Sequence, residues 1–159
     1  MSSVSTTSSE IQDAATDPAR RMSSEERREQ IVEAAIAVFG ASERPDSVGG
    51  RVLRNILDGG YAGPVYPINP KHKTIGGQRC YAGIHEIGEP VDLAVIATPA
   101  ATVPEIVHAC GEHGVRAAII HSAGFAAAHE RNTGLELEKA LIAEARRYGM
   151  HLLGPNCLG

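Results

Sequence analysis

Small residues cluster where apolar runs end in this chain, and such junctions leave backbone amides open to an anion. Gly40, Ala41 and Ser42 close the run Ile36-Ala37-Val38-Phe39, while Ser47, Gly49 and Gly50 stand where a helical pattern begins. Backbone N–H groups and the positive end of a helix dipole at that junction can receive a pyrophosphate, and small side chains allow it to come close. Glu43-Arg44-Pro45-Asp46-Ser47 lengthens the loop, so the G-x-G-x-x-G spacing of dinucleotide folds is absent. Asn69-Pro70-Lys71 follows the next apolar run, where NAD-binding folds place an acid on the ribose hydroxyls. An amide and a lysine there favour a ribose that carries a phosphate, as in coenzyme A or NADP.

Further along, Thr98, Pro99 and Ala100 follow a third run, Ser122, Ala123 and Gly124 a fourth, and Pro155 and Asn156 a fifth. The loops to consider are therefore 40–50, 69–73, 98–101, 122–125 and 154–159. They hold Gly, Pro, Ser, Thr and Asn with almost no carboxylate to face an anion, which suits an elongated phosphorylated ligand. Each has a plainer reading. Gly40 and Gly49 could serve tight strand-to-helix packing alone, and Lys71 with Lys73 could be a solvated turn. His108, Cys110 and His113 have the composition of a metal site, but on a helix they stand about 200° and 300° apart in successive steps and do not converge. His121 reads as a hydrogen-bonded histidine at a strand end. Cys157 reads as a small neutral residue, and Ser122 has no visible triad partners.

These loops need elements that carry them to one rim. Buried strands are expected at 36–39, 65–70, 92–98, 116–121 and 151–153, with a short edge strand at 78–81. Helices are expected from Val48 to Leu57, stopped by Gly59-Gly60, from Val103 to His113, and from Gly134 to Tyr148. Pro67 and Pro70 suit strand ends better than a strand interior. Strands alternating with helices at this spacing imply right-handed crossovers and a single α/β domain, Rossmann-like, with a mostly parallel doubly wound sheet. In such a sheet a ligand lies beyond the carboxyl ends of the strands, where the strand order reverses.

Composition bounds the rest. At 159 residues there is room for one domain. A formal charge of −4 gives no basic field, so no nucleic acid is expected as partner. Cys80, Cys110 and Cys157 are widely spaced without a C-x-x-C pair, which fits a reducing cytoplasm. No apolar run reaches membrane-spanning length and no leader with an apolar core opens the chain. Residues 1–22 are expected as a disordered tail, 23–34 as a short helix capped by Ser23 or Ser24 with Glu25 and Glu26 in its first turn, and 35–159 as the domain.

The runs Val38-Phe39-Gly40-Ala41-Ser42, Pro45-Asp46-Ser47-Val48-Gly49 and Gly60 to Lys71 resemble the CoA-binding domain of ADP-forming acetyl-CoA synthetases. Val91 to Ile96 with Thr98-Pro99-Ala100, Ser122-Ala123-Gly124-Phe125 and Gly154-Pro155-Asn156-Cys157-Leu158-Gly159 continue the likeness in order and spacing. The same domain opens synthetase-like protein lysine acetyltransferases and resembles, more distantly, the α subunit of succinyl-CoA synthetase. The resemblance implies coenzyme A as cofactor, with Gly40, Ala41 and Ser42 at its phosphates and Lys71 at its nucleotide end. It places Pro99 and Ala100 on the pantetheine path beside Ser122, Ala123 and Gly124, and Gly154, Pro155 and Asn156 near the thiol. It also implies partners, either further domains of a longer protein or a partner subunit with an ATP-grasp domain, so that this module is not expected to turn over substrate alone. Ala127 stands where that family has Glu. The competing classes are an NADP-dependent oxidoreductase domain and a free-standing CoA sensor.

Overall fold

The computed structural model describes residues 23–26, 33–125 and 131–155. The tail over 1–22, most of the helix expected over 23–34, and Ala127, Asn156 and Cys157 lie outside the described residues. Ser23 does cap the turn that follows: its Oγ accepts from the Glu26 N–H at 3.1 Å, and the Glu26 carboxylate accepts from the Ser23 N–H at 2.7 Å.

Five strands make one parallel sheet: β1 (Ile36–Phe39), β2 (Val65–Ile68), β5 (Leu93–Ile96), β6 (Ala117–Ile120) and β7 (His151–Leu153). Their order is β2-β1-β5-β6-β7. Helix α1 (Val48–Asp58) joins β1 to β2, α2 (Val103–His113) joins β5 to β6, and α3 (Arg131–Arg147) joins β6 to β7. The chain thus winds one way from β1 to β2 and the other way from β5 to β7, which puts the reversal between β1 and β5.

All four residues of β1 are buried because the sheet is covered on both faces there. Ala37 and Phe39 pack with Ala94, Ile96, Ala118 and Ile120 beneath Val103, Val107 and Cys110 of α2 and Leu141 and Ala145 of α3. Ile36 and Val38 face the other way, against Leu53 of α1. Burial pushes the Cys110 thiol up to about 12, so it is an inert core residue rather than a nucleophile.

Two expectations need correction. Residues 78–81 are not an edge strand of the main sheet. Gln78–Arg79 (β4) pairs antiparallel with Thr74–Ile75 (β3) in a separate hairpin, and Tyr81 makes one parallel bridge to Ile68. Pro67 sits inside β2, not at its end; β2 is the outermost strand, where the missing N–H interrupts no ladder, and the Pro67 carbonyl accepts from the Tyr81 N–H at 2.9 Å.

The first turn of α1 is pressed onto the end of β1. A Cβ on Gly49 would lie 2.0 Å from the Gly40 carbonyl oxygen, and one on Gly50 would lie 2.6 Å from the carbonyl oxygens of both Ser42 and Arg44. Gly40 has φ +78°, and a Cβ there would lie 2.7 Å from the Ala97 carbonyl oxygen of the neighbouring strand end. Gly49→Ala should therefore cost about 3 kcal/mol, because backbone must move. Gly114→Ala, at φ +89° in open space beyond α2, should cost about 1 kcal/mol, from backbone conformation alone. Urea midpoints of the two variants test this, and equal losses would contradict it.

Candidate functional site

A cleft of about 1020 Å³ opens at the carboxyl ends of β1, β2 and β5, at the reversal point. Its rim is built by the loop after β1 and the first turn of α1. Ser47 caps α1: its Oγ accepts from the Gly50 N–H at 3.1 Å and donates to the Arg44 carbonyl at 2.9 Å. The N–H groups of Val48 and Gly49, one and two residues into the helix, keep no acceptor among the described residues and end at the cleft. Ser42 Oγ accepts from the Arg44 N–H at 3.1 Å, which folds the loop so that Arg44 also lines the opening. Glu43, the carboxylate in this loop nearest the glycines, is turned away and accepts from the Gly76 N–H at 3.3 Å.

The turn after β2 is tied to the same loop. Asn69 donates from Nδ2 to the Ala41 carbonyl at 2.8 Å and accepts at Oδ1 from the Lys71 N–H at 3.0 Å. Its backbone N–H donates to the Tyr81 carbonyl at 2.9 Å, and Cys80 Sγ donates to the Asn69 carbonyl at 3.5 Å. Burial pushes the Cys80 thiol up, which keeps it a neutral donor under the turn. Lys71 and His72 project from this turn into the cleft opening, and neither Lys71 nor Arg44 has an ion-pair partner among the described residues.

The nominated residues fall into three groups. Gly40, Ser42, Ser47, Gly49, Asn69, Lys71, Thr98 and Pro99 line the cleft. The Ala41 side chain does not; it is fully buried over Leu53, and only its carbonyl serves the site, by holding Asn69. Ala100, Ser122, Ala123, Gly124 and Pro155 lie beyond it along the same rim, at the ends of β5, β6 and β7. Gly124, at φ +105°, faces Ala100, a Cβ there being 3.7 Å from that of Ala100. From β1 to β7 is three strand spacings, about 14 Å, so a ligand reaching both ends must be long.

Other placements differ from the sequence reading. Ser122 Oγ and His121 Nδ1 are buried and have no hydrogen-bond partner among the described residues, so His121 is not the satisfied histidine expected of it. The far wall of the cleft comes mostly from residues that no strand-end loop supplies: the turn at Ala82 to His85, and Glu105, Ile106 and Ala109 on one side of α2, with Thr102, the N-cap of that helix, above them. Glu105 brings a carboxylate into a cleft otherwise lined by neutral and basic groups. The candidate metal trio points three ways. Cys110 is in the core, His113 Nε2 meets the Glu89 carbonyl at 3.0 Å, and His108 Nδ1 meets Glu144 Oε2 at 2.9 Å.

A parallel sheet with open amides and basic side chains at its reversal point defines a nucleotide-binding module of the doubly wound class. Comparison with known proteins narrows the class. Residues 34–159 match the family model described as a CoA binding domain. The chain is 44% identical over 124 residues to an ADP-forming acetate–CoA ligase I of Archaeoglobus fulgidus, covering 78% of this chain and 18% of that protein. It is 40% identical over 129 residues to the α subunit of an ADP-forming acetate–CoA ligase I of Pyrococcus furiosus, covering 79% of this chain and 28% of that one. An acetyl-coenzyme A synthetase of Candidatus Korarchaeum cryptofilum, solved with phosphate and ADP, superposes with a TM-score of 0.71 at 39% identity, over 80% of this chain and 27% of the other. The chain belongs to the CoA-binding domain family, and coenzyme A is its cofactor. It spans between about a fifth and just over a quarter of the length of these relatives.

Two substitutions should act in opposite directions. Asn69→Ala removes two hydrogen bonds that join the loops and should cost about 2 kcal/mol. Ser122→Ala removes a buried hydroxyl that has no partner among the described residues and should leave stability unchanged or raise it by up to about 1 kcal/mol. Thermal melts without ligand measure both, and a fall in the Ser122 variant would reveal a hydrogen bond there.

Proposed function

We propose that this chain is the CoA-holding module of an ADP-forming acyl-CoA ligase, with domain limits at 35–159 and the remaining chemistry supplied by further domains or a partner subunit. One observation carries the reading: the N–H groups of Val48 and Gly49 end at a cleft flanked by Arg44 and Lys71. The diphosphate of coenzyme A settles on those amides and on the positive end of α1, close to Gly40 and Ser42. Lys71 takes the ribose phosphate. The pantetheine arm runs over Thr98, Pro99 and Ala100 and past Ser122, Ala123 and Gly124, and the thiol comes to Pro155 and Asn156.

The chemistry is then acyl transfer. The CoA sulfur attacks the carbonyl carbon of an acyl phosphate held by the rest of the ligase, a C–S bond forms, the C–O bond to phosphate breaks, and the thiol proton passes to solvent or a base. In that direction the phosphate leaves as inorganic phosphate; the acyl phosphate is made beforehand, when a phosphoryl group from ATP on an ATP-grasp partner passes through a phosphohistidine on another domain to the carboxylate and ADP is left behind. This chain contributes binding and orientation, fixing the sulfur at one end of a rim whose other end grips the phosphates. The relatives at 40% identity and above are ligases, which favours this reading over an acetyltransferase parent, an NADP enzyme or a free-standing sensor. No helix among the described residues is long and apolar enough to cross a membrane, and a cytoplasmic ligase is the proposed setting.

Calorimetric titration with CoA, dephospho-CoA and NADP tests the proposal. CoA should bind with micromolar affinity, and Lys71→Ala should weaken CoA about tenfold while barely changing dephospho-CoA. Tighter binding of NADP than of CoA would remove the proposal.

A further inference from the structure

The far half of the cleft is apolar. Its floor is Phe39, Ile68 and Ile84, each at most 5% exposed, and its wall is Ile106 and Ala109 of α2. Thr102, Ile106 and Ala109 stand at i, i+4 and i+7 and so share one face of the helix. Thr102 is occupied locally, its Oγ1 donating to the Pro99 carbonyl at 2.8 Å with Thr98 Oγ1 at 2.9 Å. Opposite, the His85 ring lies against Gly83, where a Cβ would be 2.5 Å from its Cε1, and closes that end. This half lies beside the β2 turn that carries Lys71, away from the rim leading to β7.

Glu105 is out of character with its surroundings. Among the described residues it is the one carboxylate lining the cleft, and it has neither an ion pair nor a hydrogen bond. Facing phosphates it would repel them, which weakens binding unless it meets a donor on the ligand. An apolar slot with an acceptor at its edge suits a flat heteroaromatic ring with an exocyclic amine.

We propose that this half of the cleft is the base subsite and that the Glu105 carboxylate accepts a hydrogen bond from the exocyclic amine of adenine, making Glu105 a residue that selects the base. The inference rests on the CoA reading above. Deamination replaces the amine with a carbonyl oxygen, which sets two acceptors against each other and leaves the carboxylate unpaired, a mismatch that sites built around a hydrogen bond reject strongly.

The test compares CoA with its deaminated, hypoxanthine-containing analogue on the whole chain. The unmodified protein should prefer CoA by about tenfold or more. Glu105→Gln, whose amide can accept from an amine or donate to a carbonyl, should bring the two affinities within about twofold of each other. Glu105 also stands in the first turn of α2, where a carboxylate favours the helix. A purely structural role would lower the melting temperature and shift both affinities by one factor, leaving their ratio unchanged. A ratio near one in the unmodified protein, or an unchanged ratio in Glu105→Gln, would overturn the assignment. Failure of the unmodified protein to bind CoA at all would overturn the CoA reading, and this assignment with it.

Discussion

Between the first turn of α1 and the end of β1 there is no room for a side chain: Gly49 meets the Gly40 carbonyl, and Gly50 meets the carbonyls of Ser42 and Arg44. This contact does two things at once. It lets helix and strand pack at a distance that any Cβ would forbid, and it brings the positive helix end and its open amides to the level of the strand tips. A loop more open by even one methyl group would lift α1 off the rim and scatter the donors. The glycine packing and the anion site are therefore one feature seen from two sides.

The polar side chains nearest that contact spend most of their hydrogen-bonding capacity on the protein. Ser47 holds Gly50 and Arg44, Ser42 holds Arg44, and Asn69 holds Ala41 and Lys71. What remains for a ligand is backbone N–H from the loop and charge from Arg44 and Lys71. Such a division fixes the donors before binding and leaves little to reorganise when an anion arrives. Along the same edge, Ser122 Oγ and His121 Nδ1, which have no hydrogen-bond partner among the described residues, sit at the end of β6, on the course proposed for the pantetheine arm.

The sheet was readable in the sequence because its central strands are short apolar runs stopped by Gly, Pro or Ser, and because both faces of β1 are covered. The rim followed from it, since parallel strands bring their carboxyl ends to one side. Other features left no such trace. Strands of two residues, Thr74–Ile75 and Gln78–Arg79, are too short to show a period of two. Asn69 reads as a ligand contact in the sequence and does line the cleft, but that its side chain also ties Ala41, 28 residues earlier, to Lys71, two later, is visible only once the loops meet. The far wall was missed for a similar reason. Thr102, Ile106 and Ala109 have the spacing of an ordinary buried helix stripe, and only the fold shows that part of that stripe faces an opening rather than the core.

The central claim is that loop and helix amides, set in place by glycine packing, receive the diphosphate. Amide resonances followed during a titration with CoA test it most directly. The account predicts that Ser42, Val48 and Gly49 show the largest shifts and exchange with solvent more slowly once CoA is bound. Changes confined to the lysine-bearing turn, with those three amides unmoved at saturation, would contradict it.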